Sequence, residues 1–236
     1  MAKKIMFNDE YGLTRAVLEC RKTMTRRIIK YPKSKPPFSD FIGDYDEAKE
    51  KGYLDYGNGI VFFLIEDRNK SFLCAPSYKV GEVVAIAQSY RTINEFYEIA
   101  YKRHNSFHGQ IVTKYDIPFK EIVKWFNLRE SLKDTAGWTN KMFVKADLMI
   151  FHIRIINIKI ERLQDISDKD CLKEGIYEDS GDDEFPPSIF YEFEGNKDDG
   201  FDTPREAFAT LIDKVSGKGT WESNPYVFVY EFELVD

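Results

Sequence analysis

The chain has 236 residues, 43% of them hydrophobic and 15% aromatic, with 19 Phe, 14 Tyr and a net charge of -6. That much apolar material excludes a disordered chain and leans toward strands, and the length suits one elaborated domain or two small ones. No run approaches the roughly 18 apolar residues of a membrane span, and MAKKIMFNDE has no apolar stretch after its lysines, so a cytoplasmic protein without a membrane partner is expected.

In chain order, Leu13, Ala16, Val17 and Cys20 recur at helical spacing, which predicts a helix over 9–21 with Asp9 as its cap. The basic segment Arg21-Lys22-Thr23-Met24-Thr25-Arg26-Arg27 follows at its exit. Residues 12–35 carry eight lysines and arginines against Glu19 alone, a local +7, whereas 178–202 carry ten acids against Lys197, a local -9. A net acidic chain therefore still offers one basic patch to a polyanion, although a charge run of this kind also serves as a plain solvated surface. Prolines and glycines break all periodicity from 31 to 59 and mark an insertion.

Strands are predicted at Ile60–Ile65, Ser71–Ala75 and Glu82–Ala87, and helices at Ile93–His104 and Phe119–Glu130. Isoleucines alternate with basic residues from Ala146 to Leu163, predicting one long strand with a slip in register near Ile156–Asn157. Ser167 is placed to cap a short helix ending at Gly175, and Thr203-Pro204 to open another that runs to about Val215. The acidic, Gly- and Pro-rich stretch between them, 176–203, reads as loop, and Tyr226–Leu234 as a final strand. Strands that are not regularly separated by crossover helices favour a small α+β barrel over a doubly wound sheet.

Cys20, Cys74 and Cys171 are odd in number and far apart, as for reduced thiols rather than a disulfide framework or a zinc ribbon. His104 and His108 share a helical face without a third ligand at supporting spacing, so no metal and no cofactor is expected. His152 reads as a packed residue of the long strand. Trp125, Trp138, Trp221 and Tyr90 have the chemistry to stack on a base, with core packing as the commoner fate of such rings. Lys141 and Lys145, beside Trp138, are candidates for phosphate contacts.

Four blocks, taken together and in order, resemble the ASCH family: the helix with Arg21-Lys22-Thr23 and Thr25-Arg26-Arg27; Tyr78-Lys79-Val80-Gly81-Glu82; Glu161-Arg162-Leu163-Gln164-Asp165-Ile166 with Glu174-Gly175; and Trp221 with Asn224-Pro225-Tyr226-Val227-Phe228-Val229. The chain is most similar to the long ASCH-like proteins of bacteriophages and prophages. The resemblance implies a single PUA-like mixed β-barrel domain over 1–236, with short flanking helices and insertions at about 31–77, 92–140 and 176–203. It implies RNA, nucleoside or nucleotide binding in a cleft lined by Arg21, Arg26 and Arg27, to which the residues themselves, and not the resemblance, add Trp138, Lys141 and Lys145 as candidate contacts. It also implies an alternative activity, an amidohydrolase acting on an acylated nucleobase such as N4-acetylcytidine, with Lys22, Thr25 and Glu174 carrying the reaction. At the position of Cys20 family members usually have glycine. A third reading is an accessory protein that acts through protein contacts of the acidic 178–202 stretch.

Overall fold

The structure, a computed structural model, describes residues 2–29, 53–55, 61–65, 70–105, 117–180, 189–197 and 200–235. The His104 and His108 pair cannot be read from it, since His108 and the His104 side chain lie outside the described residues, as do Lys30, Lys33 and Lys35 of the basic stretch. Five strands are hydrogen-bonded as one mixed sheet in the order β1 (Lys4–Ile5), β6 (Val83–Ile86), β7 (His152–Arg162), β10 (Tyr226–Leu234), β2 (Met24–Ile28). β1 runs parallel to β6, while β7 pairs antiparallel with β6 and β2 antiparallel with β10. Among the described residues this pairing leaves β1 and β2 as edges and does not close the sheet into a barrel. A separate antiparallel sheet is built from β3 (Tyr53–Asp55), β4 (Val61–Ile65) and β5 (Lys70–Cys74). Among the described residues no helix is long and apolar enough to cross a membrane.

The chain divides into two compact units. Unit one takes Met1–Phe7, Val83–Arg154 and Leu234–Asp236, and unit two takes Asn8–Glu82 and Ile155–Glu233. Within unit one, helices α2 (Tyr90–Asn105) and α3 (Phe119–Arg129) bury Tyr90, Ile93 and Trp125 against Ala85, Ala87, Val144 and Met149. Trp125 stacks on Tyr97 at 5.2 Å between ring centroids, and its indole N–H donates to Asn94 Oδ1 at 3.1 Å, so its polar edge is satisfied inside the core. Residues 136–148 form three short 3-10 turns, the last of which, Ala146–Leu148, takes the place of the start of the predicted strand, which begins at His152. The Lys4 ammonium pins them by donating to the carbonyls of Lys141, Met142 and Val144 at 3.0, 2.6 and 2.8 Å.

Within unit two, helix α1 spans only Leu13–Leu18. Asp9 and Asn8 already spend their carbonyls on the amides of Gly12 and Leu13, so the residues before Leu13 form a turn, and Asp9 instead accepts the Thr14 hydroxyl. The exit of α1 is closed by Cys20, which holds the left-handed conformation at φ 59° while the Arg21 amide returns to the Ala16 carbonyl. This is a conformation natural to glycine, and a side chain there costs about 1 kcal/mol or more. Cys20→Gly is expected to raise stability by up to about 1 kcal/mol, read as a higher midpoint in urea unfolding.

Helices α4 (Asp168–Lys173) and α5 (Pro204–Ser216) carry the predicted caps, with Ser167 and Thr203 accepting the amides of Asp170 and Glu206. The stretch 176–203 is not all loop. Its β8 (Tyr177–Asp179) and β9 (Phe190–Glu192) pair antiparallel, because Tyr177, Phe190 and Tyr191 supply strand-forming residues among the acids. In β7 the buried positions Ile153 and Ile155 give way to exposed Ile156 and Asn157, then to half-buried Ile158 and Ile160, so the inward-facing phase does change at the predicted slip. Helix α6 (Thr220–Ser223) ends at Asn224, whose side chain and carbonyl accept from the Gln164 amide and the Arg162 guanidinium.

Candidate functional site

The site lies within unit two, where the start of β2 meets the end of α4. The Thr23 amide donates to the Lys173 carbonyl at 3.0 Å, and the Thr23 carbonyl accepts from Phe232 on β10 at 2.9 Å. That clamp fixes Lys22 beside the last turn of α4. Gly175, at φ 105°, makes the approach feasible, since a Cβ there would stand 3.2 Å from Leu13 and 3.7 Å from the Lys22 stem.

Lys22 donates to the Glu174 backbone carbonyl and to Glu174 Oε2, both at 2.6 Å. The ammonium thus caps a helix C-terminus, where the peptide dipoles favour a cation, and pairs with a carboxylate at the same time. Arg26 Nη1 donates to Glu174 Oε1 at 3.0 Å, its Nε and Nη2 both reach Glu161 Oε1 at 3.0 and 2.6 Å, and Nη2 approaches Asp170 Oδ2 at 3.4 Å. Lys159 closes the ring from outside, 2.9 Å from Glu161 and 3.5 Å from Asp170. Lys22, Arg26 and Glu174 are only 2%, 5% and 4% exposed. Charges this deep persist because each is matched, three cations against three carboxylates.

Burial pushes the Lys22 ammonium below its ordinary value; the Glu174 carboxylate opposes this, and Arg27 and Arg26 reinforce it. For Arg26 burial acts in the same downward sense, but Glu174 and Glu161 outweigh it and its value is raised. A buried lysine whose basicity desolvation lowers, beside a carboxylate, is a type of group that can exchange a proton.

The opposite face of β2 is different. In the register of β2 with β10, Thr25 pairs with Tyr230 and Arg27 with Phe228, so these four side chains share one face while Met24 and Arg26 take the other. Thr25 is buried there, and burial lowers the Arg27 guanidinium against the opposing influence of Tyr78, Glu174 and Tyr230. The Tyr78 ring meets Tyr230 edge-on at 5.3 Å, and the Tyr230 hydroxyl accepts the Ser77 amide at 3.0 Å. Burial pushes the Tyr230 phenol up to about 12. Its folded value lies above the unfolded value near 10, so its stabilising contribution is complete below about pH 10 and is lost as pH rises through about 12. Ultraviolet titration of the phenolates should lose amplitude in its late, high-pH portion when Tyr230 is replaced, as Tyr230→Phe.

Of the residues the family resemblance singles out, Lys22, Glu174 and Arg26 converge directly. Arg21 is exposed and pairs with Glu19 at 2.6 Å. Trp138, Lys141 and Lys145 belong to unit one, where Trp138 packs partly buried against the core and the Lys141 ammonium donates to the Phe7 carbonyl at 2.5 Å, while Lys145 is exposed. The other stacking candidates are packing residues: Trp125 and Tyr90 lie in the unit one core, and Trp221 meets Phe208 edge-on with Arg205 over its ring. His152 is half-buried at the start of β7.

Sequence reasoning gave Asp170, Lys159 and Tyr230 no part in the site, and named Glu161 and Tyr78 only as members of the matched blocks, without a role. A signal existed for Glu161, a carboxylate within a strand that otherwise alternates isoleucine with basic residues. Among the described residues no group of three His, Cys, Asp or Glu side chains is arranged to hold a metal ion. Compared with family models, with curated proteins and with solved structures, the chain matches none.

Proposed function

We propose that unit two is an ASCH-like, PUA-like module that recognises a nucleoside or nucleotide around Lys22, Arg26 and Glu174, by its base rather than by its phosphates. The observation that carries this reading is the charge balance of the cluster. Lys22 and Arg26 are already neutralised by Glu174, Glu161 and Asp170, so a phosphate would compete with buried carboxylates, whereas a neutral base offers donors and acceptors without disturbing the balance. In this reading the barrel of the PUA-like class supplies the frame, and Arg27 and Thr25 line the adjoining face.

A second reading, hydrolysis of an acylated nucleobase, draws on the 2.6 Å contact between Lys22 and Glu174 and on the lowering of the Lys22 value by burial. With Thr25 on the face of β2 opposite Arg26, this reading requires its hydroxyl to come within reach of a neutral Lys22, which would take its proton as the threonine oxygen adds to the acyl carbon. The carbon–nitrogen bond would then break as that proton passes to the leaving amine, with Glu174 holding the ammonium between the two transfers. Water would hydrolyse the resulting threonyl ester and release the carboxylic acid.

One experiment separates the readings. The protein is incubated with N4-acetylcytidine while the ultraviolet spectrum is followed, and binding of the same nucleoside is measured by calorimetry. Turnover that Lys22→Ala lowers by at least about a hundredfold, with the circular dichroism spectrum kept, supports hydrolysis. Binding of cytidine or N4-acetylcytidine without turnover supports recognition alone. Neither binding nor turnover across the four ribonucleosides, their monophosphates and N4-acetylcytidine removes both.

A further inference from the structure

Charge is divided unequally between the two units. Unit one holds 13 lysines and arginines against 8 aspartates and glutamates, a net +5, while unit two holds 21 against 32, a net -11. Within the basic segment Arg21–Arg27 of unit two, Lys22 and Arg26 are turned inward onto carboxylates. The cationic excess of the molecule therefore resides in unit one.

That unit also carries exposed apolar residues on its helix pair. The inner face of α3 buries Ile122 and Trp125 in the core. Its outer face places Phe119, Lys120, Val123, Lys124 and Asn127 one turn apart, all exposed. From α2, Ile99, Tyr101 and Lys102 are exposed as well. Ile99, Tyr101, Phe119 and Val123 are 40–47% exposed, far above the level of a buried core face. The Tyr101 and Phe119 rings lie nearly parallel, 21° apart with centroids at 6.5 Å, and Tyr101 is braced edge-on by Phe126 at 5.3 Å.

Exposed rings held in place and interleaved with lysines have the composition of a surface that stacks bases while neutralising phosphates. An apolar protein partner would not require the lysines, and an acidic helix would not require flat rings fixed side by side. We infer that this α2–α3 face of unit one binds single-stranded nucleic acid, a base stacking on the Tyr101 and Phe119 pair and phosphates meeting Lys102, Lys120 and Lys124, the last exchanging its exposed 3.6 Å pairing with Glu121 for the phosphate. The inference goes beyond the nucleoside site of unit two and does not rest on it.

The test uses the full chain and a fluorescein-labelled 12-nucleotide oligouridylate, with fluorescence anisotropy read from 50 to 200 mM NaCl. Binding should weaken with salt. Lys120→Glu with Lys124→Glu should weaken it more than about tenfold at 50 mM and flatten the salt slope by about 1–2. Phe119→Ala, at an exposed position, should weaken it about tenfold through lost stacking. Lys218→Glu, at an exposed lysine of unit two, should leave it unchanged. No binding at 50 mM overturns the inference, as does binding that the α3 substitutions leave untouched. So does preferential binding to vesicles of phosphatidylcholine with 30% phosphatidylserine, or a dimer that Phe119→Ala dissociates while RNA binding persists. Loss of nucleoside binding or turnover at unit two has no bearing on these outcomes, because the probes differ.

Discussion

Glu174→Ala is expected to lower the free energy of unfolding by about 3–5 kcal/mol, the usual consequence of removing one partner from a buried ion pair. Glu174 gives one carboxylate oxygen to Lys22 and the other to Arg26, so its loss leaves the nearly inaccessible Lys22 ammonium with a backbone carbonyl in place of a counter-charge. Urea unfolding followed by far-ultraviolet circular dichroism measures the effect. The paired replacement Lys22→Met with Glu174→Leu removes the uncompensated cation together with its partner and should recover at least half of the loss, since an apolar pair of similar volume is often as stable as a buried salt bridge. If the paired variant is as unstable as Glu174→Ala, the stranded charge is not the cause.

Arg26→Leu is expected to cost about as much, on the order of 3–5 kcal/mol, for the opposite reason. It leaves Glu161, Glu174 and Asp170 close together without the guanidinium that joins them. Arg26→Lys should recover little, because an ammonium radiates its donors from one nitrogen and cannot span the three carboxylates that Nε, Nη1 and Nη2 of the planar fork reach. The exposed pairs Arg15–Glu19 and Arg21–Glu19 make the control: Glu19→Ala should leave the unfolding midpoint in place, since solvent already screens these charges. A midpoint that moves as far for Glu19→Ala as for Arg26→Leu would contradict the assignment of the strength to the buried cluster.

What could be read from the sequence was local in origin. Ser167 and Thr203-Pro204 cap helices within three residues of themselves, and the apolar run Tyr226–Leu234 declares its own strand, so each was visible in a short window. The change of phase at Ile156 was visible for the same reason, as a break in alternation. β2 was not visible, because Met24–Ile28 is half charged and polar, and those groups are tolerated only through partners 135–148 residues away. β1, two residues long, has no periodicity at all. The convergence of Lys22 with Glu174 was anticipated through resemblance alone. Their separation of 152 positions carries no spacing signal, and the part of Glu161 and Asp170 in the same cluster followed from neither source.

The composition of unit one also has a consequence for synthesis of the chain on the ribosome. Lys4 and Ile5 pair with Ala85 and Ile86, and the Val235 amide donates to the His152 carbonyl, so this unit is stitched from the first residues, the middle and the last. Its helices are made early, yet its last hydrogen bonds wait until residue 235 has left the exit tunnel. At the usual pace of ~5–20 residues per second, the roughly 80 residues after Arg154 hold that wait open for several seconds. During that interval the flank of β7 that β10 covers in the folded sheet has no partner strand, and an open strand edge is the kind of surface that invites pairing with other chains.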